Sequence, residues 1–293
     1  MQALTYIDIP GIKPSYQGKV RDIYDLGDTL VMVTTDRVSA YDYVFNEGIP
    51  GKGKIITQIS NSWFSRIGAV ENHLISTNVA EFPEPFSMQT NALQDRAVLV
   101  QKTERIPFEC VVRGHLMGSG YEDYLQSGAI NEITLPPNLR MGERLPEPVF
   151  TPTTKSDSGH DKKISFEYLT EALGTEVAER LRTISLQVYQ YAYEFLEKKG
   201  ILLMDTKFEF GWCNGTLFLI DEVLTPDSSR FCYRDQQEKA VEEGDSPPNL
   251  DKQIIRNYLN EIGWNRKPPL PPLTKEVIEQ TKARYEELQE LMR

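Results

Sequence analysis

From Met204 to Phe210 the chain alternates strictly, so that in an extended strand Met204, Thr206, Phe208 and Phe210 share one side and Asp205, Lys207 and Glu209 share the other. Neighbours on the charged side stand about 6.5–7 Å apart. The segment Trp212-Cys213-Asn214-Gly215-Thr216 that follows carries a hairpin turn signal. A two-residue Asn214-Gly215 loop pairs Glu209 with Ile220 and puts Asp221 on the Phe208 side. A three-residue loop pairs Glu209 with Asp221 and gathers Phe208, Phe210, Trp212, Phe218 and Ile220 on one face. The second register separates charge from apolar surface and is the expected one. Two carboxylates directly opposite repel, and a divalent cation removes the repulsion. Oxygen ligands beside phosphate chemistry point to Mg2+. A solvated strand face with a tolerated acidic pair fits the same pattern. Lys207 fits either a phosphate or substrate-carboxylate contact or a salt-bridged spacer.

Three more stretches have the composition of anion sites. Gly18-Lys19-Val20-Arg21-Asp22 joins a glycine to two cations between extended segments, which suits nucleotide phosphates as well as it suits an ordinary turn. Arg113-Gly114-His115-Leu116-Met117-Gly118-Ser119-Gly120 follows the strand Phe108–Val112 and precedes a helix over Tyr121–Gln126. A strand, a glycine-rich loop and a helix N-terminus form a common phosphate layout, and Arg113 can clamp an anion bidentately or simply face solvent. In Thr151–Ser165, Lys155, Asp157, His160, Asp161, Lys162 and Lys163 mix both signs of charge, as a zwitterionic ligand or a solvated loop would require. His160 has no Cys or Ser partner in sequence for a triad, and His73 and His115 read as packing or hydrogen-bonding residues.

The elements that must hold these residues are legible in outline. Lys19–Tyr24 and Thr29–Thr35 read as strands around a tight turn, and Ile55–Ile67 shows helix spacing. Ala97–Lys102 and Phe108–Val112 read as strands split by a break that serves as a hinge. Leu135–Ser165 is Pro-, Thr-, Lys- and Gly-rich and reads as loop. Helices are expected over Phe166–Leu173, capped by Ser165, and over Thr175–Lys199, stopped by Gly200. Strands follow at 201–210 and 216–223, then helices near 250–262 and 274–292. The 293 residues suffice for two domains. A net charge of −11 argues against a nucleic-acid partner. Three cysteines without CxxC spacing argue against a zinc site or a disulfide framework. No apolar run is long enough to span a membrane, and the N-terminal residues lack a signal-peptide pattern, so a cytoplasmic location is expected.

Taken in order, GKVRDIY (18–24), TDRVSAYD (35–42), IPGKG (49–53), ECVVRGHLMGSG (109–120), DTKFEFG (205–211) and DEVLTPDSSRF (221–231) resemble the SAICAR synthetase family of purine biosynthesis. The resemblance implies an α+β fold of two lobes, similar to ATP-grasp and kinase-like lobes, with antiparallel sheets, ATP between them and a helical C-terminal tail. It implies an N-terminal lobe over 1–103 and a C-terminal lobe with tail over 104–293. It also implies a ligase that joins L-aspartate to the carboxylate of 5-aminoimidazole-4-carboxy ribonucleotide through an acyl phosphate, using ATP and Mg2+. Carried over, Gly18, Lys19 and Arg21 hold ATP phosphates and Gln101 to Thr103 meet the adenine. Glu209 and Asp221 hold the metal, with Asp205 and Lys207 at the reacting groups. Arg113, Ser119 and Arg230, helped by Asp36, Arg37 and Ser39, bind the ribonucleotide, and Lys155, Asp157, His160 and Asp161 lie near L-aspartate. The partners implied are small molecules, for a monomer or a small homo-oligomer. On the residues alone, a small-molecule kinase or another ATP-grasp-like ligase with a different acceptor, or a non-catalytic nucleotide-binding regulator, stays open.

Overall fold

The computed structural model describes residues 2–41, 43–155, 162–250 and 252–293. In chain order its elements are β1 (Tyr16–Gln17), β2 (Arg21–Asp25), β3 (Thr29–Thr34), β4 (Arg37–Ala40), β5 (Tyr43–Gly48), α1 (Lys52–Arg66), β6 (Glu71–Asn72), β7 (Leu74–Ser76), α2 (Thr90–Leu93), β8 (Ala97–Gln101), β9 (Glu104–Arg105) and β10 (Phe108–His115). They continue with α3 (Gly118–Ser127), β11 (Ala129–Ile130), β12 (Ile133–Thr134), β13 (Arg144–Phe150), β14 (Thr153–Thr154), α4 (Phe166–Leu173), α5 (Thr175–Glu197), β15 (Ile201–Cys213), β16 (Thr216–Ile220), β17 (Ser229–Tyr233), α6 (Arg234–Glu243), α7 (Gln253–Glu261) and α8 (Lys275–Met292).

β-branched and apolar strands build a small antiparallel sheet in the order β1-β2-β3-β8-β7. The larger sheet runs β13-β10-β15-β16-β6, with β14 beside β10 and with β9 and β17 beside β15. The chain touches the larger sheet at β6, returns to the small one for β7 and β8, and passes to the larger sheet again between Gln101 and Glu104. Strand β15, 13 residues long, is the spine of the larger sheet. Its even-numbered side chains Met204, Phe208 and Phe210 are buried in the main core. Helix α5 covers that face through Ala178, Leu181, Ser185, Val188, Ala192 and Leu196, which recur at helical spacing. The fit is close at Gly114, where a Cβ would stand 1.9 Å from the Tyr189 hydroxyl. That hydroxyl donates to the Leu203 carbonyl at 2.6 Å. With that face of β15 sealed, Asp205, Lys207 and Glu209 are left for chemistry, whereas Ile201 and Leu203 at the strand's start are buried in the core.

The tail is integral to this core. Helix α1 buries Ile55, Ile59 and Trp63 in it, and α8 buries Tyr285, Leu288 and Met292 in the same cluster. Arg66, in the last turn of α1, donates to the Met292 and Arg293 carbonyls at 2.9 and 3.0 Å. Helix α7 with the start of α8 packs instead on the β4–β5 hairpin through Ile255, Leu259 and Val277 against Val38, Phe45 and Ile49.

Several expectations are corrected. The strand expected from Lys19 begins at Arg21, because Gly18 to Val20 form the loop between β1 and β2. The β15–β16 hairpin uses the two-residue Asn214-Gly215 loop and pairs Glu209 with Ile220, not with Asp221. Asn214 and Gly215 adopt φ of 49° and 76°, the left-handed pair such a turn demands. Leu217 and Leu219 therefore join Phe210 in the core, and Phe218 and Ile220 do not. Strand β16 stops at Ile220 instead of 223. The stretch expected as loop from Leu135 to Ser165 contains β13 and β14, whose prolines sit in an edge strand. The β4–β5 hairpin and α6 were not anticipated.

Candidate active site

Three strands bring their charges into one row. Arg113 of β10 is paired with Asp205 of β15, and Asp205 with Arg230 of β17. Asp205 accepts from both guanidinium groups, at 3.5 Å from Arg113 and more closely from Arg230. Arg113 spends its other donors on Thr151 Oγ1 at 3.1 Å and Ser119 Oγ at 3.3 Å. Ser119 lies in the first turn of α3, which starts at Gly118 and so earlier than the expected Tyr121. Gly118 has φ of 53°, and a Cβ there would come within 2.8 Å of the Arg230 guanidinium. The glycines thus let two guanidinium groups lie against a helix N-terminus, a site for a phosphate or carboxylate.

Four residues along β15, about 13 Å further, the sign reverses. Glu209 is buried, and burial followed by the charge of Asp221 pushes its carboxyl up to about 7. The two carboxylates act on each other electrostatically although the register does not oppose them. Asp221 follows the end of β16 with φ of 69°, and this left-handed step, costing about 1 kcal/mol, turns its carboxylate out of the strand alternation. Arg21 clamps Asp221 in a fork, Nη1 to Oδ1 at 2.6 Å and Nη2 to Oδ2 at 2.9 Å, and also reaches Glu222 at 3.1 Å. Burial alone would raise Asp221, but Arg21 overrides it and holds the carboxyl below its ordinary value. His73, pushed down to about 4 by burial, hydrogen-bonds the Asp221 backbone as a neutral ring.

Beside Glu209, on the neighbouring strand, stands a residue that the sequence reading missed. Glu109 of β10 is 4% exposed and accepts from Lys207 Nζ at 2.7 Å and from Lys155 Nζ at 3.1 Å. Lys155 also donates to Glu209. Burial disfavours charge on Lys155, but Glu209 and Glu109 outweigh it and raise its pKa. The signal was available, since Glu109 is the one acid in the apolar run Phe108–Val112 and shares a face with Arg113.

The other predicted residues are placed as follows. Gly18 and Lys19 form the β1–β2 loop, and Arg37 grips both carbonyls, at 3.0 and 3.4 Å, while pairing with buried Asp22 at 2.7 Å. Asp36 is fully buried and accepts from the Leu4, Gly51 and Gly53 amides and from Arg96. It thereby anchors the start of α1. Ser39 sits opposite Val44 in the β4–β5 hairpin. Gln101 donates to the Asp28 carbonyl at 2.8 Å, and Thr103 packs on Gly211. Ser229 bonds Thr206 across the ladder at 2.8 Å, and Ser228 folds back on Thr225. Asp157, His160 and Asp161 lie outside the described residues. A narrow cleft opens between the small sheet and α1, lined by Arg21, Met32, Val98, His73, Asp221 and Glu222 among others.

A divalent ion fits the Glu209–Asp221 end by the chemistry of its donors. Two carboxylates, buried Glu209 and half-buried Asp221, repel there, and a lysine and an arginine already supply positive charge. Among the described residues no third acid, histidine or cysteine completes a cluster, so the remaining ligands would be phosphate oxygens and water. No helix of the described residues is long and apolar enough to cross a membrane.

The SAICAR synthetase family model matches residues 14–271. A phosphoribosylaminoimidazole-succinocarboxamide synthase of Pelobacter propionicus is 48% identical over 284 residues, covering 96% of this chain and 95% of the relative. SAICAR synthase from Saccharomyces cerevisiae, solved in complex with SAICAR, superposes with a TM-score of 0.85 at 34% identity, covering 99% of this chain and 97% of that one. A SAICAR synthetase solved in complex with ADP shares the fold with a TM-score of 0.66 at 24% identity, covering 94% and 96%.

Proposed function

The chain belongs to the SAICAR synthetase family, and we propose that it performs the family's reaction, the ATP-dependent joining of L-aspartate to 5-aminoimidazole-4-carboxy ribonucleotide, along the odd-numbered face of β15. The observation that carries this reading is the reversal of charge along one strand, from Asp205 between two arginines to Glu209 beside Asp221. A ligase of this kind needs a second phosphorylated substrate at one end and a polyphosphate at the other, with the reacting groups between.

In this reading Arg113, Arg230, Ser119 and the α3 amides hold the ribonucleotide phosphate or carboxylate, and Asp205 keeps both guanidinium groups aimed. Glu209 and Asp221 would hold Mg2+, which when bound supplies neutralising charge to the ATP phosphates. Arg21 serves to orient Asp221, while Lys19 in the β1–β2 loop meets the phosphates and Gln101 to Thr103 border the adenine. Lys207, whose side chain is 36% exposed beside buried Glu109, faces the gap between the two ends. It is placed to meet the transferring phosphoryl group.

The ribonucleotide carboxylate attacks the γ-phosphorus and ADP leaves. The amine of L-aspartate then attacks the acyl carbon, phosphate departs with the acyl oxygen, and the nitrogen gives its proton to solvent. The protein's share is alignment and charge neutralisation. Coupled ADP release tests the assignment. Sustained release is expected only when ATP, the ribonucleotide and L-aspartate are all present. Sustained release without L-aspartate would make the chain a kinase of the ribonucleotide instead.

A further inference from the structure

The loop from Asp221 to Ser228 joins β16 to β17, and it carries a metal-side carboxylate at one end and Arg230 just beyond the other. Its interior is held in an unusual way. Val223 and Leu224 are fully buried. Asp227, one turn before Arg230, is buried with three donors around its carboxylate. Lys52 of α1 reaches Oδ2 at 2.7 Å, the hydroxyl of Tyr285 in α8 donates to Oδ1 at 2.7 Å, and Lys252 stands 3.3 Å from Oδ1. The Lys52 and Tyr285 side chains are fully buried as well. The reaction derived above uses none of these groups.

Such a cluster costs desolvation of a carboxylate and an ammonium, which a hydrophobic core of equal volume would avoid. Stability alone is a poor reason for it, whereas fixing one arrangement of a loop is a good one. The loop needs fixing. Asp221 and Leu224 both have positive φ, at 69° and 54°, conformations a free loop would leave. The next backbone contact past Asp227 is the Ser228 carbonyl accepting from the Lys207 amide at 3.2 Å, which ties the loop to the centre of β15.

We propose that Tyr285 is a positioning residue for the reaction: through Asp227, the last helix sets the loop whose ends present Asp221 and Arg230, so that the C-terminal tail tunes ribonucleotide and metal affinity together. This inference rests on the roles given above to Arg230 and Asp221. The partner surface is intramolecular, and the tail acts as a fixed strut, not as a cover.

Tyr285→Phe keeps the ring in the core and deletes only the hydroxyl. The full-length variant is expected to fold, with the KM for the ribonucleotide raised about three- to tenfold and the KM for L-aspartate unchanged. The stabilisation that Mg2+ alone gives in a thermal melt, without nucleotide, is expected to shrink in parallel. Leu288→Ala, in the same helix and core but away from Asp227, serves as the comparison. It lowers Tm while leaving the ribonucleotide KM where it was, when both are assayed well below their melting temperatures. If Tyr285→Phe lowers Tm but leaves the ribonucleotide KM and the Mg2+ shift unchanged, the hydroxyl is only structural and the proposal falls. The reading it rests on is checked separately by Arg230→Ala. A raised ribonucleotide KM there with none in Tyr285→Phe overturns the positioning role alone. An unchanged KM in Arg230→Ala removes the ribonucleotide role of Arg230 and this proposal with it.

Discussion

The two ends of the charged face of β15 are built by opposite means. At the Asp205 end, three strands deliver Arg113, Asp205 and Arg230 side by side, with a register shift between Leu203 and Asp205 in the β15–β17 pairing, and every charge has a partner of opposite sign. At the Glu209 end, two acids are forced together by a left-handed residue at the close of β16, and their repulsion is only partly offset by Lys155 and Arg21. The first end is complete without a ligand and need only exchange Asp205's company for an anion's. The second stores an excess of negative charge that a ligand relieves. An electrostatically satisfied end recognises, and an unsatisfied end draws in the charge that the chemistry needs.

The sharpest way to break this contrast is to remove the unsatisfied end. Glu209→Gln and Asp221→Asn each keep shape and take away one of two like charges; folding should hold or improve slightly for Glu209→Gln, whereas Asp221→Asn gives up the charge that the Arg21 fork favours and should lower Tm modestly. Turnover should fall by about a hundredfold or more, the scale seen when a charge-stabilising group is lost from a preorganised site. The measurement is kcat at saturating Mg2+, with Tm as the control for folding. Near-normal kcat in both variants would sink the metal assignment.

A smaller effect tests the satisfied end. Arg113→Lys keeps a positive charge beside Asp205 but loses the fork that reaches Ser119 and Thr151 at once. The KM for the ribonucleotide should rise about tenfold, with those for ATP and L-aspartate unchanged. An equal rise for all three would mean that the row supports the sheet and recognises no particular substrate.

The same contrast explains how far the sequence could be read. Strict alternation from Met204 to Phe210 is a local pattern, and β15 bears it out; the strand expected to stop at Val112 instead carries Arg113 and Gly114 inside it and ends at His115. The meeting of Glu209 and Asp221 was expected from a three-residue hairpin loop that does not exist. The turn is the tighter one and φ at Asp221 restores the encounter, a property of a single backbone angle that alternation cannot reveal. Glu109 stands out as the one acid of an apolar strand on the Arg113 side, but nothing local shows that it is buried between two lysines. The Asp227–Tyr285 bond spans 58 residues of sequence and joins a loop to the last helix. Contacts of that range follow from packing and not from local periodicity.

The least drastic test leaves the chain unaltered and changes only pH. Burial and Asp221 raise the Glu209 carboxyl from 4.5 to about 7. In the ligand-free protein Glu209 therefore keeps its proton through a range where the unfolded chain has lost it. This group then favours folding at low pH, and its contribution declines as pH rises through that range to about 7. A cation binds only the ionised form, so binding must expel the proton below pH 7 and expels nothing above it. Mg2+ affinity, titrated without nucleotide so that phosphate ionisation does not intervene, should fall about tenfold for each pH unit below 7 and level off above. The Mg2+-induced rise in Tm should accordingly be larger at pH 8 than at pH 6, and Glu209→Gln should abolish the difference. Asp221, held low by Arg21, predicts no such dependence in this range. A pH-independent Mg2+ affinity in the unaltered protein would therefore mean that Asp221 acts without Glu209, and that the two ends of the strand differ less than their charges imply.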